Sequence, residues 1–381
     1  MSKIRILFDA GVLTRQKTGV GFYVEQLIST VAKNYGEEIE FVGYYFQSIG
    51  KTTKPPGIKN VNFLPIRWLP RQVLLGFRLI GFQVPLSVVI PKWKKFDVVL
   101  YPNFIGLPTP KSLPSLVIVY DLSFVDHPEY VDNLNARILK KFTPKSIARS
   151  NVVITDSQFI KDRIEKKYMI KNSKVRILYP GSVVNIKPYN QRSLKIKPIV
   201  YIGTIEPRKN IKNLMLAYSK LPTNLQQKHP LILCGSRGWK NDDIFYTYEK
   251  LKNEGVPVEY RGYISEKEKI ELYYSASLVA VLSHYEGFGL QILEAMKFNV
   301  PILLSDIPVF HEIAKKAAYY CDKDDTNSIS QAIINILNNK GKKDKLLLYN
   351  KILSNYTWNN TAKEFVDIIH NILRRLHVDS H

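Results

Sequence analysis

Short, uniformly apolar runs alternate along the chain with longer stretches in which apolar residues recur every three to four positions. "IRILFDA" is followed by "GVGFYVEQLISTVAKNY" and then "IEFVGYYF"; farther on come "FDVVLYPN", "LPSLVIVYDLSF", "ARILKKFTPKSIARS" and "NVVITDS". The short runs have no wet face, as in strands buried on both sides, and the long ones carry the period of an amphipathic helix. Strand and helix in strict alternation predict βαβ units and a parallel sheet covered by helices.

The series breaks at "KPYNQRSLKIKP", residues 187 to 198, a polar, basic, proline-flanked stretch that reads as a linker. It restarts with "IVYIGTI", "KNLMLAYSKL", "LILCGS", "VEYRGY", "KEKIELYYSAS", "LVAVLS", "GLQILEAMKFN" and "PILLSDI", and "TWNNTAKEFVDIIHNILRRL" closes it at helical spacing. The expected fold class is therefore α/β, with two doubly wound domains over residues 1–188 and 189–360 and a closing helix over 361–381. At 381 residues and 45% hydrophobic content the chain can build two cores. Loops at the carboxyl ends of parallel strands gather ligands, so the ligand site is expected between the two domains.

Charge changes the picture. The formal net charge is +22, with 28 Lys and Arg against 13 Asp and Glu in residues 1–190 and 27 against 20 in the remainder. Such an excess attracts nucleic acid, a membrane surface or a phosphorylated substrate, and the first half carries most of it. Cys234 and Cys321 lie in or beside apolar runs and read as small buried hydrophobes, which supports neither a disulfide framework nor a zinc cluster. The strand pattern begins almost at the first residue, without an apolar signal core, so export is not expected.

Three glycine-bearing loops follow strands in the second half. In "YIGTIEPRKN", Gly203 ends a strand and Arg208 and Lys209 stand before a helix beginning near Asn210, an arrangement suited to a diphosphate. The second loop is "LCGSRGW", at Gly235. The third, "HYEGFGLQILEAM", offers the amides of Phe288, Gly289 and Leu290 at a helix start, with Glu286 before it and Glu294 more than one turn inside. Glu294 can accept from a ribose diol while Glu286 faces a sugar beyond the phosphates; alternatively both are solvated acids favoured by the helix dipole. A dinucleotide fingerprint would need a glycine-rich loop after a domain's first strand and an acid about twenty residues on, and Gly203 alone does not make one.

"GTIEPRKN" together with "SHYEGFGLQILEAM" resembles the donor-binding signature of the retaining glycosyltransferases of family 4, enzymes of GT-B architecture with two Rossmann-like domains. "KTGVGFYVEQL", "VYDLSFVDHPEY", "VITDSQFIKDRI", "ILYPGS" and "YTWNNTAKEF" extend the resemblance along the chain, and the overall pattern is most like bacterial O-antigen and polysaccharide mannosyltransferases. The resemblance implies that Arg208 and Lys209 hold the donor diphosphate, that Glu294 holds the ribose, and that Glu286 contacts the donor sugar. Gly19 and Gly21 would let a first-domain loop approach the diphosphate, Asp121 would orient an acceptor hydroxyl, and the closing helix would return to the first domain. It also implies catalysis without a metal or other cofactor. Many members carry His-Asp where this chain has Tyr120-Asp121, and a tyrosine cannot become a cation near neutral pH. His127 nearby reads as a loop residue. In "CDKDDTN", Asp322 and Asp324 have the spacing of a metal-binding pair, but they precede a helix starting near Asn327 and read as turn and N-cap acids.

Residues 63 to 95 are both apolar and basic. Arg67, Arg71 and Arg78 are interleaved with Trp68, Leu75, Phe77 and Phe82; Gln83 and Pro85 interrupt the run before it reaches the roughly 20 apolar residues of a spanning helix. An interfacial helix is expected, with aromatics among lipid headgroups and arginines on lipid phosphate. The chain is thus expected to work on the inner face of the cell membrane from the cytoplasm. It would transfer a hexose, mannose from GDP-mannose by the overall pattern, to a saccharide on a polyprenyl diphosphate in O-antigen or polysaccharide biosynthesis. A sugar-nucleotide epimerase of the same fold and a nucleic-acid-binding protein are the rival readings, though no nucleic-acid-binding module is recognisable.

Overall fold

The computed structural model describes residues 3–15, 18–47, 54–182, 196–338 and 341–378. Most of the stretch read as a linker, and the boundary expected at residue 188, lie outside them. The chain divides into two compact units: the first gathers Met1–Asp126, Asn133–Gly181 and Thr357–His381, and the second gathers His127–Asp132 and Ser182–Tyr356.

The first unit is built on seven strands: β1 (Ile4–Asp9), β2 (Ile39–Phe46), β3 (Val61–Ile66), β4 (Val98–Tyr101), β5 (Ser115–Ile118), β6 (Val152–Thr155) and β7 (Val175–Ile177). They lie in the order β3-β2-β1-β4-β5-β6-β7, and every pairing is parallel. The chain winds outward from β1 in one direction and from β4 in the other, so the sheet has a switch point between these two strands. Helix α1 (Gly19–Asn34) starts at Thr18, whose hydroxyl accepts from the Gly21 amide; Gly19 and Gly21 therefore occupy its first turn. Its Tyr23, Val24, Leu27 and Val31 pack with Ile6 and Phe8 of β1 and with Ala362, Phe365, Val366 and Ile369 of the helix Trp358–Val378. The last helix thus completes the first unit's core, which is why a chain segment that follows the second unit belongs to the first.

Residues 63–66, read from the sequence as part of a membrane-facing stretch, instead finish β3, where Gly43 through Phe46 of β2 pair with Phe63 through Ile66. Helix α2 (Arg71–Leu79) follows, and its first amide donates to the Gln47 carbonyl at 3.1 Å. Among the described residues no helix is long and apolar enough to cross a membrane.

The second unit holds β8 (Ile199–Ile202), β9 (Leu231–Cys234), β10 (Val258–Gly262), β11 (Leu278–Val281), β12 (Ile302–Ser305) and β13 (Tyr319–Cys321). Their order is β10-β9-β8-β11-β12-β13, again all parallel, with the switch point between β8 and β11. The loops after β8 and β11 are those carrying Arg208 and Glu286. Cys234 and Cys321 are buried free thiols at the ends of their strands.

Candidate active site

The site grows from the switch point of the second sheet. After β8 the chain passes Gly203, forms one 3₁₀ turn over Pro207–Lys209, and reverses at Asn210, whose φ of 58° is left-handed, before entering the helix Ile211–Ser219. After β11 it runs through Ser283 to Gly289, whose φ of 101° caps the helix Leu290–Lys297. The His284 amide donates to the Arg208 carbonyl at 2.8 Å, which ties the two loops together.

Side chains complete the tie. Arg208 Nη1 donates to Glu286 Oε2 at 2.9 Å and to the Tyr285 carbonyl at 3.1 Å, while its Nε donates to Glu206 Oε1 at 3.0 Å. Lys209 Nζ and the Ser283 hydroxyl both donate to Glu286 Oε1. Glu206, Lys209 and Glu286 are all buried. Burial alone would raise the Glu286 carboxyl, but the two cations outweigh it and hold it down to about 2. The cluster therefore balances Arg208 and Lys209 against Glu206 and Glu286, so the cations expected to hold a diphosphate are already engaged by carboxylates.

Glu294 is buried one helical turn beyond the cap. Lys269 Nζ donates to its Oε1 at 2.8 Å and Tyr273 Oη to its Oε2 at 2.7 Å, both from the helix Glu266–Ser275. Each oxygen keeps one lone-pair direction for a further donor. The amides of Leu290 and Gln291, in the first turn of their helix, have no intrahelical acceptor. Phe288 contributes packing, its ring edge-on to Tyr356 at 5.7 Å.

The glycines allow close backbone approach. A Cβ on Gly235 would stand 1.8 Å from the Gly203 carbonyl oxygen, and its φ of 144° is itself unfavourable to other residues. Gly203 has a Cβ position 2.8 Å from Tyr201 Oη and 3.2 Å from Gln291 Nε2.

Residues 284–351 fall within a longer segment, 185–351, that matches the family model for glycosyl transferases group 1. The O-antigen chain mannosyltransferase B of Escherichia coli is 31% identical over 358 residues, covering 88% of this chain and 91% of that protein. The chain belongs to the group 1 glycosyl transferases. Among solved structures, sucrose-phosphate synthase from Thermosynechococcus elongatus superposes with a TM-score of 0.73 at 17% identity, covering 98% of this chain and 100% of that one. Anabaena Alr3699/HepE, solved in complex with UDP-glucose, superposes with a TM-score of 0.68 at 14% identity over 97% and 100%. The fold of this transferase is GT-B.

Elsewhere in the transferase the sequence-predicted residues have varied surroundings. In the first unit, Tyr120 is a core residue: its hydroxyl donates to the Pro102 carbonyl at 2.9 Å and its ring packs edge-on to Tyr23 and Phe104. Asp121 Oδ1 accepts from the amide and hydroxyl of Ser123 at 2.9 and 2.7 Å. In the second unit, His127 lies 5.2 Å from the Tyr285 ring, beside Glu286, and Tyr130 stacks on His284 at 5.3 Å. Trp239 Nε1 donates to the Tyr130 carbonyl at 2.6 Å and anchors this segment. His127 itself lies in a loop, just before the short turn Pro128–Tyr130, as its sequence position suggests. Asp322 Oδ1 accepts the Asp324 amide at 2.9 Å and Asp325 caps the helix Thr326–Leu337, so these acids serve a turn and a cap.

Lys269, Tyr273, Glu206 and Ser283 were not singled out from the sequence. The first two stand four apart on one helix and so share a face, a usable signal once a carboxylate is sought opposite.

The arginines expected on lipid divide. Arg67 and Trp68 are exposed, as are Leu75 and Phe82. Arg78 departs from the expectation in part: its Nε is wholly covered, one turn beyond the buried Leu74 on the same face of α2, whereas Arg71 at the helix start is exposed. Phe77 is half-buried against Phe82, ring centroids 5.7 Å apart.

Proposed function

We propose that this transferase moves mannose from GDP-mannose, with retention at the anomeric carbon and without a metal, to a saccharide carried on a polyprenyl diphosphate in O-antigen or related polysaccharide synthesis. The observation that carries the sugar assignment is the 31% identity to an O-antigen mannosyltransferase across nearly the whole of both chains. The donor assignment is supported by the loops after β8 and β11, where cations, free helix-start amides and buried carboxylates lie together.

In this reading the helix-start amides of Gly289 and Leu290 and the cations Arg208 and Lys209 receive the diphosphate. Glu286 keeps both cations aimed and reaches the mannose hydroxyls, and Glu294 takes the ribose diol with its remaining lone pairs. As the bond from the anomeric carbon to the diphosphate oxygen breaks, negative charge grows on the leaving group and the two cations stabilise it. Gly203 and Gly235 keep the loop backbones close enough for this convergence, and Asp121 orients the acceptor hydroxyl. Gly19 and Gly21 open α1 with an amide-rich turn suited to an anion.

Exposed Trp68, Leu75 and Phe82, with Arg67, dock the first unit reversibly on the anionic inner face of the cell membrane. The decisive experiment incubates the purified chain with GDP-mannose, UDP-glucose or UDP-galactose and a synthetic polyprenyl-diphosphate saccharide. Transfer from GDP-mannose alone, with an α-linkage by NMR, is expected; release of a free epimer without acceptor would favour the epimerase reading instead.

A further inference from the structure

The cations of the donor loops are balanced by carboxylates, but a second group of cations in the first unit is not. Asp9 ends β1, and its register partner, two residues before the end of β2, is Tyr44. Asp9 Oδ1 accepts the Gly11 amide at 2.8 Å. In space, helix α2 starts just past β2, its Arg71 amide donating to the Gln47 carbonyl, and carries Arg71, which is exposed, and Arg78, whose Nε is buried, two turns apart; both and Arg15 lie within electrostatic reach of Asp9. Three guanidinium groups thus act on one carboxylate. Two polar atoms here are buried without any hydrogen-bond partner, Arg78 Nε and Tyr44 Oη. Burial pushes the Tyr44 phenol well above its usual value, so it remains a neutral donor.

Buried donors without acceptors, and positive charge in excess of negative, are costly unless a ligand supplies what is missing. The missing partner must carry about two negative charges and only acceptor atoms. A diphosphate ester meets both conditions, and guanidinium forks match its oxygens in pairs. A singly charged phosphodiester headgroup would leave one cation unanswered. The carboxyl ends of strands beside a sheet's switch point are also where such a ligand is expected in this fold class.

We propose that the ends of β1 and β2, together with α2, bind the diphosphate of the lipid-linked acceptor through Arg78, Arg71 and Arg15, with Tyr44 donating and Asp9 holding the arginines in place. The proposal rests on the acceptor reading given above and assigns its anionic group to particular residues.

The test measures calorimetric binding of geranyl diphosphate to the full chain with saturating GDP present, so that the donor loops are occupied. Arg78→Gln and the exposed Arg71→Gln should each weaken binding about tenfold or more, as expected for loss of a charge-assisted contact, and Arg78→Lys should lose less. GDP affinity and binding to phosphatidylglycerol vesicles should not change. Unaltered geranyl diphosphate affinity in Arg71→Gln and Arg78→Gln would overturn the site, as would loss of vesicle binding in its place. Because Arg71 is exposed, its variant remains informative even if Arg78→Gln does not fold. The two readings separate cleanly. A parent chain that transfers no sugar to any diphosphate-linked acceptor, yet binds geranyl diphosphate through these arginines, would keep the site and refute the acceptor reading. A parent that transfers sugar while both variants bind geranyl diphosphate normally would do the opposite.

Discussion

Arg208 and Glu286 are 78 positions apart in the chain and meet at 2.9 Å, with Lys209 on the other oxygen of the same carboxylate. The Glu286 carboxyl is held down to about 2, below its ordinary 4.5, so the folded state favours its charged form. Such a group contributes stability that is present above about pH 4.5 and is lost as pH falls towards 2. Glu286→Gln should therefore be less stable than the parent at pH 7, by on the order of 3 kcal/mol, with the gap closing below pH 3. Urea unfolding at pH 7, 4 and 3 measures this, and a gap independent of pH would show that the carboxylate is not ionised in the fold.

Glu294 and Glu286 should fail differently when replaced. A ribose contact is made equally in the ground and transition states, so Glu294→Gln and Tyr273→Phe should raise KM for the donor several-fold with kcat little changed. Glu286→Ala should instead lower kcat by a factor of about 100 or more, because it disorders both cations that the proposed mechanism sets against the leaving group. Steady-state kinetics against GDP-mannose separate the two; an equal kcat in Glu286→Ala would remove that residue from the reaction.

The alternation of strands and helices was legible because each element carries its own period, from "IRILFDA" as β1 to "GLQILEAMKFN" as the helix Leu290–Lys297. Arg208, Lys209, Glu286 and Glu294 were legible as a motif, since they stand at fixed offsets from glycine turns. What those residues touch was not. The pairing of Glu286 with Arg208 and Lys209 joins loops almost eighty residues apart, and no local pattern encodes it. The same holds for residues 63–66: an apolar run beside an amphipathic helix looks continuous with it, and only the parallel pairing with β2 makes it β3. Helical spacing puts Arg78 on the face of Leu74 without saying that this face is the inner one.

Gly235 gives a test of backbone packing. Its added Cβ would stand 1.8 Å from the Gly203 carbonyl oxygen, a backbone atom that cannot rotate away, at a φ of 144°. Gly235→Ala should destabilise the second unit by roughly 3 kcal/mol or more. Gly203→Ala meets side-chain atoms at 2.8 and 3.2 Å, and Gln291 at least can move. Its loss should be smaller, so thermal melts of the two variants should fall in that order.

Asp322 and Asp324 supply a test of metal dependence. Asp322 accepts the Asp324 amide, and Asp324 pairs with Lys323 and, at 3.5 Å, with His284 Nδ1. EDTA should leave transfer from GDP-mannose unchanged, and Asp324→Asn should retain activity within about twofold, the range usual for exposed substitutions. Loss in EDTA restored by magnesium or manganese would make a metal part of the reaction.

The exposed apolar set on the first unit is the last point. Trp68, Leu75, Leu79, Ile80 and Phe82 are exposed, by 58, 40, 47, 79 and 52%. They are contributed by α2 and by the chain on either side of it. Single exposed apolar residues are ordinary, but five within fifteen positions beside Arg67 are what an interfacial anchor requires. If the first unit docks on a membrane while Arg71 and Arg78 serve the cluster near Asp9, attraction to lipid phosphate comes from Arg67, at about 1 kcal/mol for a basic residue near an anionic surface. Insertion must therefore supply most of the binding. Trp68→Ser with Phe82→Ser should abolish co-sedimentation with phosphatidylglycerol vesicles, whereas Arg67→Glu should weaken it and reduce its sensitivity to salt. Arg78→Gln should leave it intact. Vesicle binding that survives the double serine variant but disappears with Arg78→Gln would return the arginines to the membrane and leave the apolar residues as ordinary surface.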